Sequence, residues 1–141
     1  MLLGEEGQTW LGKTAIDIQL MGFESDPHKL AIIYSALDLV AIPSVVENFP
    51  NVLIEALACG RSVVASDAGG MLDGICHMET GYLAKLGDVS DFTDGLRLVL
   101  NDETVQLNME TAALRLFEEQ FTSENEITRM VRLYREIYMN D

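Results

Sequence analysis

The sequence predicts an α/β fold in which a parallel sheet carries helices on both faces and is followed by a helical C-terminal tail. Short β-rich apolar runs alternate with segments of helical periodicity, and helix-starting residues stand where those segments begin. Beyond Asn101 the pattern changes to two long amphipathic segments. The 141 residues are predicted to form one domain, residues 1–141, with the helical tail at about 102–141.

Five segments have the composition of buried strands. They are residues 1–3, "DIQLMGF" from Asp17, "DLVAIPS" from Asp38, "SVVAS" from Ser62 and "GYLA" from Gly81. The first strand begins directly at Met1 and is short for a strand, which is normally roughly five or six residues long. We therefore expect a sheet with such a strand at its start to be preceded by more chain.

The helices are marked at their ends. Asp26 and Pro27 provide an N-cap and a first-turn proline for "PHKLAIIYSAL". Pro50 suits a first helical turn, and Gly60 suits the position just past the end of "NVLIEALAC". Asp88 opens another helix with one apolar face. That face consists of Val89, Phe92, Leu96, Val99 and Leu100.

The tail is predicted to contain two helices. One lies near residues 103–120, and the other begins at "TSENEI", where Ser123 and Glu126 have the spacing of a capping box. Both helices are expected to cover the sheet and to present an acidic face to solvent.

The composition excludes several classes of function. Nine basic against 23 acidic residues give a formal net charge of −14, which argues against nucleic acid as a partner. The only cysteines, Cys59 and Cys76, indicate neither a disulfide framework nor a zinc site, and no metal is expected. No apolar run is long enough for a transmembrane segment, and the N-terminus lacks the features of a signal peptide. A cytoplasmic location is therefore predicted.

Two glutamates mark the candidate site. Glu55 interrupts an apolar helix, where an ionised carboxylate needs a solvent-lined edge or a polar partner such as a ligand hydroxyl. Glu47 lies in the loop after the strand that ends near Ile42, at the sheet edge where ligands bind in this architecture. The helix that starts near Pro50 directs free N–H groups towards the same edge, as a phosphate site requires. Gly69 and Gly70 would let a ligand approach the backbone.

Each of these features also has a structural interpretation. Glu47 could be a solvated loop acid, Glu55 could pair with a lysine or a backbone group, and the two glycines could form an ordinary turn. Strand-end loops in this architecture also serve many functions other than binding a sugar nucleotide or another phosphorylated ligand.

The region from Ile33 to Asp88, "IYSALDLVAIPSVVENFPNVLIEALACGRSVVASDAGGMLDGICHMETGYLAKLGD", closely resembles the nucleotide-sugar-binding half of retaining glycosyltransferases of family four. These enzymes have the GT-B fold of two facing Rossmann-like domains. The resemblance extends from "LLGEEG" to "FEEQFTSENEITRMVRLYREIY" and centres on the two glutamates, "EALACG" and "VVAS". It implies that the chain is a C-terminal, donor-binding domain.

The resemblance also implies roles for individual residues. Glu47 would lie beside the donor sugar as the catalytic residue and support the positive charge that develops there. Glu55 would bind the ribose hydroxyls, and backbone N–H groups around Phe49 would bind the sugar and the diphosphate. The segment at Gly22 and Phe23 would contact the base. The full substrate-binding set is Glu55, Asn48, Phe49, Asn51, Val52, Gly22, Phe23, Gly69 and Gly70. No cofactor is implied, and no protein nucleophile, because retention in this family is usually explained by same-face attack.

The sequence also departs from the family pattern. Pro50 replaces a glycine and removes one N–H donor, whereas the change to Arg61 and Ser62 after "ACG" is expected to be structural. Met71 and Leu72 replace the usual apolar residue and proline after the double glycine.

Two parts of the family's machinery have no counterpart here. No residues match the arginine and lysine that hold the donor diphosphate. Arg61 is expected at the wrong edge of the sheet, which leaves Lys85 as the basic residue near the site. The acceptor-binding half has no counterpart either. The chain therefore resembles a truncated enzyme that needs that N-terminal half as a partner, and this part alone is expected to be inactive.

Two other functions share parts of this pattern. A non-catalytic remnant with the same fold could bind a protein partner through its acidic surface. A phosphoacceptor receiver domain is disfavoured, because Glu5 and Glu6 are not the paired strand-end acids near a lysine that its chemistry needs.

Overall fold

The structure, a computed structural model, describes residues 2–3 and 17–139 of the chain. It contains two compact units, residues 1–33 and residues 34–141. In the first unit, strand β1 (Leu2–Leu3) pairs in parallel with β2 (Leu20–Gly22). β2 is shorter than the predicted segment from Asp17 to Phe23. The predicted start of β1 at Met1, the rest of "LLGEEG", and Glu5 and Glu6 lie outside the described residues.

The second unit contains a three-stranded parallel sheet. Its strands are β3 (Val40–Ile42), β4 (Val63–Ser66) and β5 (Gly81–Ala84), in the order β3-β4-β5. All four residues of β4 are buried, as expected for a central strand with both faces covered. β3 ends where Pro43 follows, since proline offers no N–H to a ladder. The prediction of a parallel sheet with helices is confirmed, although its strands pair in two sheets, one in each unit.

The helices follow the predicted order, with one addition. They are α1 (Pro27–Ser35), α2 (Asn51–Ala58), α3 (Met71–Gly74) and α4 (Val89–Asn101). The caps at Asp26 and Asp88 are confirmed: Asp26 accepts the N–H of His28 at 2.9 Å, and Asp88 accepts that of Asp91 at 3.0 Å. The sequence did not predict α3, because a single turn is too short to show a helical period.

The two tail helices differ from each other. In α5 (Glu103–Gln120) the side chains of Met109 and Ala113 are buried, and Met109 packs with Val64 and Val99 in the core. The expectation of a covering helix is correct for α5. It is wrong for α6 (Ser123–Tyr138), which has no buried residue.

The predicted capping box of α6 is also wrong. The N-cap is Thr122, whose hydroxyl accepts the N–H of Asn125, so the helix is capped one residue earlier than Ser123. Thr122 directly precedes Ser123, and both residue types are favoured at the N-cap, so the sequence does not distinguish between them. Among the described residues, no helix has the length and apolar composition to cross a membrane.

Candidate functional site

The loops after β3 and β4 meet at the carboxyl edge of the three-stranded sheet. A Cβ atom placed on Gly69 would overlap the carbonyl oxygen of Glu47, and one on Gly70 would overlap that of Asn48. Gly69 also has a φ of +52°, in the left-handed region. The glycine pair therefore does more than form a turn: it lets the loop after β4 lie directly against the loop that carries Glu47.

Glu47 is half-buried in this loop and is held by a neighbour. The hydroxyl of Ser44 donates a hydrogen bond of 2.9 Å to its Oε1. A carboxylate has two oxygens with several acceptor positions, so one hydroxyl leaves it able to accept further bonds. Glu47 is therefore oriented by Ser44 and keeps acceptor positions that no other described residue fills.

The first turns of α2 present a partly open face to the same edge. Leu53, Ala56 and Leu57 are buried, whereas Asn51 and Val52 are exposed and Glu55 is half-buried. Side chains in a helix tilt towards its N-terminus, so Glu55 leans towards the first turn although it lies in the second. The N-cap residue Pro50 makes no side-chain capping bond. Three of the residues assigned to substrate therefore share one unburied strip of the helix.

Glu55 has a partner that the sequence did not reveal. The hydroxyl of Tyr34, at the end of α1, donates a hydrogen bond of 2.7 Å to Glu55 Oε2. Tyr34 is otherwise buried, with 1% of its surface exposed. Burial raises the pKa of the Tyr34 hydroxyl well above its usual value, and the hydrogen bond to Glu55 adds to this effect. The observed partner of Glu55 is therefore neither the lysine nor the backbone group of the structural interpretation. It is a tyrosine that stays protonated.

Phe49 turns its ring away from the loop surface and into the protein. The ring lies 5.5 Å from that of Phe121, centroid to centroid, at the C-cap of α5. It also lies beside Gly74, where a Cβ atom would come within 3.2 Å of it. The side chain of Phe49 thus anchors the loop, and the assignment of its backbone N–H to a ligand remains a prediction.

Gly22 and Phe23 belong to the first unit. Gly22 ends β2 with a φ of +69°, and the Phe23 side chain is exposed. Their assignment to the base of a nucleotide remains a prediction.

Arg61 lies at the amino edge of the sheet, as predicted, and its bonds are structural. Its guanidinium donates to the carbonyl oxygens of Cys59 and Leu37, both at 3.1 Å, and lies 3.4 Å from the carboxylate of Glu110. Ser62 is fully buried and donates to the carbonyl of Gln106 at 3.3 Å. The expectation that the Arg61–Ser62 replacement is structural agrees with these contacts.

Lys85 follows the last residue of β5 and is exposed at the carboxyl edge. Its backbone N–H donates to Asp91 Oδ2 at 2.7 Å, and the Tyr82 hydroxyl donates to Oδ1 at 2.6 Å. These bonds, that from Lys85 first, lower the pKa of Asp91. Both oxygens of Asp91 are thus occupied by the protein. Among the described residues, no three histidine, cysteine or acidic side chains are grouped as a metal site would require.

Ser44 and Tyr34 are the site residues that sequence reasoning missed. Ser44 stands three residues before Glu47, close enough for a local contact to be considered. Tyr34 stands 21 residues before Glu55 in an apolar segment, where a tyrosine is usually a core residue. Its hydroxyl needs a buried acceptor, but only the tertiary structure shows which one.

Comparisons with known proteins identify the family of the chain. Residues 10–115 match the family model described as Glycosyl transferases group 1. The chain is similar to N-acetyl-alpha-D-glucosaminyl L-malate synthase of Bacillus anthracis, with 35% identity over 104 residues, 74% of this chain and 27% of that protein. It is similar in structure to sucrose-phosphate synthase of Thermosynechococcus elongatus, with a TM-score of 0.81 and 28% identity over 96% of this chain and 33% of the other.

A second similar structure contains a ligand. Anabaena Alr3699/HepE, in complex with UDP-glucose, matches with a TM-score of 0.70 and 25% identity over 82% of this chain and 32% of the other. The chain thus spans between a quarter and a third of the length of these relatives. The resemblance to the C-terminal part of GT-B glycosyltransferases is confirmed.

Proposed function

Because the chain belongs to the glycosyl transferases of group 1, we propose that it is the donor-binding half of a retaining glycosyltransferase and binds a nucleotide-diphosphate sugar. The observation that carries the proposal is the carboxyl edge of the β3-β4-β5 sheet. There, two oriented carboxylates, Glu47 and Glu55, lie on either side of the uncapped start of α2. The complex of the similar Anabaena protein with UDP-glucose supports this class of ligand.

In the proposed mechanism the donor is held mainly by neutral and acidic groups of this chain. Free N–H groups at the start of α2 bind the diphosphate, and Glu55 accepts the ribose hydroxyls. Glu47, held by Ser44, accepts sugar hydroxyls and stabilises the positive charge that develops on the sugar as the glycosidic bond breaks. Attack from the same face then retains the configuration without a protein nucleophile.

The diphosphate also carries negative charge that a chain with a net charge of −14 does little to balance. Lys85 is a basic side chain at the carboxyl edge, next to the end of β5. We propose that transfer to an acceptor needs further basic groups and an acceptor-binding half, as the resemblance implies. On this proposal, the 141 residues bind a donor but do not transfer its sugar.

Ligand-induced thermal stabilisation tests the proposal. UDP-, GDP- and ADP-sugars at millimolar concentration should be compared, and at least one should raise the melting temperature, because a ligand that binds only the folded state stabilises it. Glu55→Gln should reduce this shift, since a neutral amide accepts ribose hydroxyls more weakly. Glu118→Gln, which removes an exposed charge on α5, is the matched control and should leave the shift unchanged.

Failure of all three sugar nucleotides to stabilise the folded chain would contradict the proposal. That result would favour the alternative, a non-catalytic interaction module with the same fold. A cytoplasmic location and the absence of a cofactor remain predictions.

A further inference from the structure

Tyr34 is a buried tyrosine whose side chain has one polar group, the hydroxyl, and the proposed mechanism gives that hydroxyl no role. Its hydroxyl cannot reach bulk water, so it needs an acceptor within the protein. The acceptor is Glu55 Oε2, at 2.7 Å. The core of the second unit thus contacts, through one hydroxyl, the carboxylate proposed to bind ribose.

The direction of this hydrogen bond is fixed. Burial, the hydrogen bond to Glu55 and the nearby charge of Glu55 all raise the pKa of Tyr34, so the phenol keeps its proton and donates. An ionised carboxylate offers about four acceptor positions on its two oxygens. Tyr34 occupies one of them, which leaves Oε1 and one position on Oε2 for two hydroxyl donors from a ligand.

The bond also restricts the Glu55 side chain. A free glutamate samples many rotamers and loses that freedom, at an entropic cost, when it binds a ligand. A donor anchored in the core holds Oε2 in place before the ligand arrives, because Tyr34 itself is packed on all sides.

From this geometry we infer that Tyr34 is a positioning residue, which orients Glu55 to accept the two neighbouring hydroxyls of a ribose and so selects nucleotides that have both. The inference rests on the proposed function and deepens it. It predicts that this chain prefers ribonucleotide over 2′,3′-dideoxynucleotide donors. The preference would depend on Tyr34, which contacts Glu55 rather than the ligand.

The test is the ratio of two affinities. UDP, GDP and ADP are titrated into the chain by calorimetry, and the tightest is compared with its 2′,3′-dideoxy analogue in wild type and Tyr34→Phe. The phenylalanine keeps the packing and removes only the hydroxyl. We expect the preference for the ribonucleotide to fall by about fivefold, the equivalent of one hydrogen bond. Glu55→Gln should lower it at least as much, and the double variant no further than Glu55→Gln alone.

The chain offers a matched control in Tyr82, whose hydroxyl donates at 2.6 Å to the carboxylate of Asp91 rather than to that of Glu55. Tyr82→Phe removes the same group from the same kind of pair, and its affinity ratio should equal that of wild type. A merely structural loss in Tyr34→Phe would lower both affinities together and leave their ratio unchanged.

The outcomes separate the two proposals. If Glu55→Gln loses the preference while Tyr34→Phe keeps it, the proposed function stands and the positioning role is overturned. If wild type binds none of the three nucleotides, the proposed function fails for this chain, and the inference fails with it. If Tyr82→Phe changes the ratio as much as Tyr34→Phe, the effect is not specific to Glu55 and the inference is wrong.

Discussion

Polar side chains at the two edges of the β3-β4-β5 sheet differ in how fully they are hydrogen-bonded within the protein. At the amino edge, Arg61 donates to the carbonyl oxygens of Leu37 and Cys59 and pairs with Glu110. Ser62 donates to the carbonyl of Gln106, whose own side-chain amide donates to the carbonyl of Asp38. At the carboxyl edge, Glu47 and Glu55 each accept one hydroxyl and keep further acceptor positions. The amino edge thus holds α5 to the sheet, whereas Glu47 and Glu55 at the carboxyl edge keep acceptor positions that no other described residue fills.

This difference separates structural polar groups from functional ones without any knowledge of a ligand. A polar group whose bonds are all made within the protein contributes to stability. A group that is oriented but incompletely bonded, such as Glu55 beside Tyr34, is the better candidate for binding.

The largest effect is expected where the two loops of the carboxyl edge touch. Gly69→Ala should lower the free energy of unfolding by about 3 kcal/mol, because it combines a left-handed backbone with overlap against the Glu47 carbonyl. Urea unfolding measures the change. Gly87→Ala is the control: its φ is +78°, but the space around it is open, so about 1 kcal/mol is expected. Equal losses in the two variants would mean that the loops do not touch in solution.

A smaller effect is expected at the amino edge. Arg61→Met should lower the free energy of unfolding by about 2 kcal/mol, because it leaves Glu110 and two carbonyl oxygens without their donor. Its effect on nucleotide affinity should be nil, which titration of the folded variant measures. Arg132→Met, in an exposed pair with Glu136, should cost only about 0.5 kcal/mol. A loss of nucleotide affinity in Arg61→Met without a loss of stability would contradict the division between the edges.

The smallest effect concerns Asp91, an acid near the carboxyl edge whose two oxygens are already bonded. Its pKa is depressed in the folded state, so its contribution to stability is present above the unfolded value of about 3.9 and is lost as pH falls through the lower folded value. Between about pH 5 and pH 2, the range in which carboxylates titrate, wild type should therefore lose stability more steeply than Asp91→Asn. Parallel pH profiles from thermal unfolding would show that the bonds from Lys85 and Tyr82 do not form in solution.

Much of the fold could be predicted from local signals. The strands, α1, α2, α4 and the caps at Asp26 and Asp88 follow from apolar runs and helix-starting residues, which act over a few positions. The strand ends, the single turn of α3 and the cap of α6 could not, because they depend on pairing and on a choice between adjacent residues. Whether α6 would be covered was also not predictable, since an amphipathic pattern shows only that a face is suited to burial.

The same division holds for the site. The sequence alone determined that Glu47 and Glu55 lie near the start of α2, because their positions follow from strand ends and helix periodicity. Only the tertiary structure decided which groups complete them. The contact of Gly69 and Gly70 with the Glu47 loop and the hydrogen bond from Tyr34 join residues about 20 positions apart, and their formation depends on how the elements pack. A sequence records which groups need partners, whereas packing in three dimensions selects those partners.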